Sequence, residues 1–156
     1  MNANDQSVGM NNVKVRLSTL WIFAILNYLY ADVLGLYDSA TLKDLMSGSV
    51  GGMQMTDGFL LGAAILMETA IVMVLLSRVL PYKANRWANI VAGVIHTTAV
   101  FGSMFVGTAP TPYYLFFGSI EIATTLFIIW TAWKWPTSEK GINSIPLQNA
   151  EIACKP

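Results

Sequence analysis

Glu68, His96 and Glu121 are the residues of this chain best suited to chemistry, and each stands inside a long apolar run. Two carboxyls and an imidazole can bind or pass a proton, hold a small polar ligand, or work as a general acid and base. Asn27 and Asp32, in the first apolar run, belong with them. The setting is clearest around Glu68. Gly58 to Ser77 is 20 residues long and carries one carboxylate, at its centre. About 20 apolar residues in a helix cross the roughly 30 Å hydrocarbon core of a bilayer. A soluble helix would need a polar face, which this stretch lacks, so it reads as a membrane span. An ionised carboxylate at mid-depth costs roughly 3 kcal/mol on insertion scales. A partner, water or a proton must offset that cost.

Four such elements can position these residues. The expected fold is all-α: a polytopic, four-transmembrane-helix bundle with helices at about 13–37, 57–80, 87–107 and 113–135. Counting from the helix ends, Asn27, Glu68, His96 and Glu121 fall near the midplane or slightly outside it, and Asp32 lies closer to the outer surface. Small and polar residues accompany them at helical spacing: Ala24, Ala31 and Gly35 on the first helix, Asn89, Gly93 and Ser103 on the third, Gly118 and Thr125 on the fourth. Such stripes mark helix-packing faces in membranes. The polar groups are therefore expected to point inward. At least two of Glu68, His96 and Glu121 should meet in one pocket in the outer half, with Asn27 or Asp32 on its wall. A structural reading competes, in which interhelical hydrogen bonds hold the helices together and the carboxyls stay protonated.

The connections are legible too. Residues 1–12 are polar and read as flexible, 13–136 form the single membrane domain, and 137–156 read as a flexible tail. Between the first two spans, Asp38 or Ser39 can cap a short helix through Met46, with Gly48 as its stop. Gly-Ser-Val-Gly-Gly at 48–52 reads as a joint, and Thr56 or Asp57 as the cap of the second span. With four spans, Lys14, Arg16, Arg78, Lys83, Arg86, Lys134, Lys140 and Lys155 all fall on one side, and of the nine basic residues only Lys43 falls opposite. The positive-inside rule then puts both termini in the cytoplasm of a cell with an inner membrane.

Composition narrows the function. Hydrophobic residues make up 54%, charged residues 12%, and mean hydropathy is +0.53, values of a protein whose main partner is the lipid bilayer. Net charge is zero, so no nucleic-acid partner is expected. The single cysteine, Cys154, excludes an internal disulfide. One cysteine and one histidine are too few for a zinc site or a c-type haem, so no metal and no cofactor are expected.

Leu29 to Tyr37, Gly58 to Glu68, Asn85 to Asn89 and Ile120-Glu121 carry a resemblance. Over about residues 14–135 the chain resembles a bacterial family of four-helix inner-membrane proteins of unknown function, and more distantly the DoxX-like membrane proteins. That resemblance implies a fold and a membrane location; it brings no reaction and no site residues. From the residues themselves, the expected role is a small binding or transport module with an intramembrane site for a proton or small ligand at Glu68, His96, Glu121, Asn27 and Asp32. The alternatives are an accessory or scaffold subunit without enzymatic activity and, third, an acid–base membrane enzyme on a lipophilic substrate. A homo-oligomer or a membrane-protein partner fits the first two.

Overall fold

A computed structural model describes residues 3–50, 52–105 and 110–135, with side chains from Gly9 onward. Five helices dominate: α1 (Ala3–Gly35), α2 (Ser39–Met46), α3 (Asp57–Val79), α4 (Tyr82–Ser103) and α5 (Pro112–Trp133). Three of them are long and apolar enough to cross a membrane, at Gly9–Gly35, Asp57–Val79 and Pro112–Trp133. The tail 137–156 lies outside the described residues.

Local chemistry explains the boundaries. The Asp38 carboxylate accepts a hydrogen bond from the Thr41 amide and caps α2. Gly48, at φ 76°, takes the left-handed conformation that ends it. The Thr56 hydroxyl accepts from the Phe59 amide and caps α3. Pro81 precedes α4, which starts at Tyr82 rather than 87, and Pro112 opens α5 with its pre-set φ.

Two further features differ from the sequence expectation. Helix α1 runs back to Ala3, through polar residues read as flexible, because a helix anchored by a long apolar run extends at low cost into adjoining turns. Within the stretch read as a joint, β1 (Ser49–Val50) pairs antiparallel with β2 (Met53–Gln54), and Gly52 has φ 84°.

The long helices pack in a ring: α1 against α3, α3 against α4, α4 against α5, and α5 against α1. Neighbours are antiparallel. Lys14 and Ser18 of α1 reach the carbonyls of Leu80 and Val74 at the end of α3, and Ser103 near the end of α4 bonds Tyr114 at the start of α5. One end of the ring therefore gathers Lys14, Arg78, Arg86 and Lys134; the other carries α2 and the hairpin.

The half nearer the basic end is sealed. Leu17, Trp21, Ala70, Met73, Ile128 and Ala132 form its apolar core. Beside it, Ser77, Asn85 and Asn89 are fully buried and mutually bonded. The Asn85 amide donates to the Ser77 carbonyl at 2.7 Å, and the Asn89 amide donates to Asn85 Oδ1 at 2.7 Å. Asn89 Oδ1 accepts from Trp21 Nε1 at 2.8 Å and from the Ser77 hydroxyl at 3.2 Å. Buried amides are tolerable only when satisfied in this way.

Candidate functional site

The half of the ring nearer α2 opens. A cavity of about 300 Å³ lies there between all four long helices. Helix α1 contributes Tyr28, Ala31 and Asp32, α4 contributes His96 and Ser103, and α5 contributes Tyr114 and Glu121. Helix α3 adds only Ala63, Leu66 and Met67, an apolar wall.

Each polar side chain is held by its helix and its neighbours. His96 is 1% exposed. Its ring stacks on Tyr28, with centroids 5.7 Å apart and planes at 19°, and meets Trp21 edge-on at 5.3 Å and 71°. Trp21 is in turn fixed by its bond to Asn89, so the sealed half of the ring holds the imidazole at the floor of the cavity. Two buried atoms at this floor, His96 Nε2 and the Tyr28 hydroxyl, have no hydrogen-bond partner. Glu121 is 7% exposed and lies within electrostatic reach of Tyr28 and Asp32. Asp32 stands at the open rim, exposed on one side. Neither carboxyl forms an ion pair or hydrogen bond with a described residue. Ser103 and Tyr114 share a hydrogen bond of 2.6 Å across α4 and α5 at the same rim.

The structure thus brings Asp32, His96 and Glu121 to one cavity and leaves Glu68 and Asn27 out of it. Glu68 is exposed on the outer face of α3, flanked by Leu61, Ile65 and Leu75, which are 63%, 59% and 66% exposed. The side of α3 that turns inward carries Ala63, Leu66, Met67 and Ala70 instead. Asn27 donates to the Phe23 carbonyl of its own helix at 2.8 Å. It lines a separate apolar groove between α1 and Phe117 of α5. Its amide is satisfied locally, and it has no carboxyl or imidazole beside it.

Tyr28, Tyr114 and Ser103 were not among the sequence-derived site residues. The signal for them lies in the spacing. Tyr28 stands four residues before Asp32, Ser103 seven after His96, and Tyr114 seven before Glu121, each pair on one helix face. Tyr114 is masked in sequence by its place among interfacial aromatics.

Chemically, the cavity offers two carboxyls, an imidazole, two phenols and a hydroxyl, with no lysine or arginine in its lining. It can take up a proton or accept hydrogen bonds from a small ligand. No group of three or more His, Cys, Asp or Glu among the described residues could hold a metal ion.

A model for a family of unknown function, DUF6326, matches residues 9–141. Neither the curated proteins nor the solved structures provide a match.

Proposed function

The chain belongs to this family of unknown function, which supplies no reaction, and from the geometry we propose that it is a four-span membrane module binding a proton or small polar ligand in the cavity between α1, α3, α4 and α5. The observation that carries this reading is the convergence of Asp32, His96 and Glu121 on one cavity whose floor holds the unpartnered His96 Nε2 and Tyr28 hydroxyl. Buried polar atoms are ordinarily satisfied. In the Ser77-Asn85-Asn89 core below it they are bonded to one another. The other unpartnered buried atoms among the described residues, Thr131 Oγ1 and Trp135 Nε1, lie outside the cavity lining.

The membrane reading rests on an inverted surface. Large apolar side chains face outward on every long helix, among them Phe23 and Leu26, Leu61 and Leu75, Val91 and Phe101, Phe116 and Leu126. A soluble monomer rarely exposes an apolar surface of this extent. Helix α4 is 22 residues long, as long as α5. The strongly polar residues that lower its hydropathy are Asn85, Asn89 and His96, buried within the ring, and Lys83 and Arg86 in its first turns at the basic end. Between Trp87 and Phe101 its outward residues are apolar except Thr98, whose hydroxyl donates to the Val94 carbonyl, so a fourth span costs little in lipid. The cluster of Lys14, Arg78, Arg86 and Lys134 at one end supports a cytoplasmic location for that end, and with it for both termini. Arg86 and Lys134 lie over the rings of Trp133 and Trp130 at 5.7 and 5.0 Å, a pairing suited to the lipid–water boundary.

Infrared spectroscopy of the protein in lipid tests the site. A carboxyl stretching band should titrate with pH, vanish in Glu121→Gln, and move in Asp32→Asn and in His96→Phe. A band that ignores the Asp32 and His96 substitutions would mean that the three groups do not share a site.

An accessory or docking role is the second reading, and Glu68 favours it. A carboxyl on the lipid-facing side of a span is costly, and a protein partner on α3 would relieve that cost.

A further inference from the structure

We infer that the cavity's ligand is a small organic ammonium, an amine carrying one positive charge on a short hydrocarbon or aromatic body, bound in exchange for a proton. The inference rests on the binding reading above and adds the chemical class.

Charge comes first. Asp32 and Glu121 face the same space, and no lysine or arginine lines it. Neither carboxyl has an ion pair or hydrogen bond among the described residues. Inside a bilayer such carboxyls must be neutralised by protons or by a counter-cation. An anion would meet like charges, and a neutral ligand would leave the carboxyls to their protons.

Hydrogen-bonding capacity agrees. The carboxylates accept only, and His96 Nε2 and the Tyr28 oxygen can both accept. Each of these two atoms is buried and unpartnered at the cavity floor. A primary or secondary ammonium supplies donors and needs acceptors, which is what this set offers. A bare metal ion fits less well, because Asp32, His96 and Glu121 line one cavity without the mutual geometry of a metal site, and no other such group among the described residues has it.

Shape limits the body of the ligand. The space of about 300 Å³ lies at the small end of ligand pockets. At about 30 Å³ per water it holds on the order of ten non-hydrogen atoms. Ala63, Leu66, Met67, Ala99 and Val100 give it an apolar wall, and the phenol rings of Tyr28 and Tyr114 can meet a cation.

The exchange balances. An ammonium entering against a protonated carboxyl forms an ion pair, and one proton leaves to water, so the charge of the site is unchanged. Affinity should therefore rise with pH. The titratable groups facing the site are Tyr28 and Asp32 from α1, His96 from α4, and Tyr114 and Glu121 from α5; α3 provides none.

Calorimetric titration of the full chain in lipid nanodiscs with benzylamine, benzyl alcohol and benzoate, three probes of one shape, tests the class. Benzylamine should bind at least tenfold more tightly than the other two, more tightly at higher pH, and at least tenfold more weakly to Glu121→Gln and to Asp32→Asn. Glu68→Gln should bind it like the unaltered protein. If benzyl alcohol or benzoate binds equally well, the ammonium inference is wrong while a polar ligand site stands. If none binds and the Glu121 carboxyl band still titrates, the inference is wrong and a proton site stands. If none binds and no band titrates, both readings fall.

Discussion

The Trp21 indole N–H on α1 donates to the Asn89 side-chain carbonyl on α4 at 2.8 Å, joining two helices that are not neighbours in the ring. The same indole meets His96 edge-on at 5.3 Å. One residue therefore ties the sealed half of the protein to the floor of the cavity. Interhelical hydrogen bonds in membranes are worth roughly 0.6 to 1.7 kcal/mol. A double-mutant cycle of Trp21→Phe and Asn89→Ala, read by unfolding in lipid or mixed micelles, should give a coupling of about 1 kcal/mol. A coupling of zero would mean that the bond does not hold α1 to α4.

Close approach of α4 to α5 depends on Gly93. A Cβ there would lie 2.7 Å from Ile129 Cγ1 and 3.4 Å from the Thr125 carbonyl oxygen. Ile129 is β-branched and stiff, so the helices must move apart. Gly93→Ala should destabilise the protein by roughly 1–3 kcal/mol, the range for overpacking. At Gly118 the added Cβ meets the terminal methyl of Met104, which can swing away. Gly118→Ala should cost less, and equal costs would argue against this packing.

Glu68 and Glu121 are both central carboxyls, and they should behave differently. Glu68 faces outward and Glu121 lines the cavity. Glu68→Leu should keep the titrating carboxyl band, and in the isolated protein it should leave stability unchanged or raised, since a carboxyl in lipid is unfavourable. Loss of the band in Glu68→Leu would return that residue to the site.

Asp38 provides a pH signature outside the spans. The Thr41 hydroxyl, at 2.7 Å, and then the Thr41 amide bond its carboxylate and hold it below the usual carboxylate range. A carboxyl lowered by folding adds stability above its unfolded pKa of about 3.9, and that stability is lost as pH falls through the folded value. The Thr41 amide resonance should therefore follow the Asp38 titration below about pH 4, and α2 should fray with it. Asp38→Asn keeps an acceptor at the cap and should abolish this acid sensitivity. An unchanged acid response in that variant would assign it elsewhere.

Membrane topology can be read with reporter fusions. Reporters after Asn12, within 81–86 and after Thr137 should be cytoplasmic, and one within 38–55 should be on the other side. A cytoplasmic 38–55 segment would overturn the four-span arrangement.

Sequence alone determined what local chemistry controls. The long apolar helices follow from run length, and the caps at Asp38 and Thr56 and the stop at Gly48 follow from residue type. The inward faces of α4 and α5 were legible as well, because His96 shares its stripe with Asn89 and Gly93, and Glu121 with Gly118 and Thr125. Helix α3 was different. It is apolar on nearly every side, so no periodic pattern in it says which face turns inward. Its rotation is decided by packing: Ala70, Met73 and Ser77 turn inward, and the Ser77 carbonyl and hydroxyl meet Asn85 and Asn89. That choice turns Ala63, Leu66 and Met67 toward the cavity and Glu68 away from it. The polar residue most conspicuous in the sequence thus lies outside the cavity. Tyr28, which shares a helix face with Asp32 in the sequence but is not marked there as a site residue, lies at its floor because tertiary packing stacks it on His96.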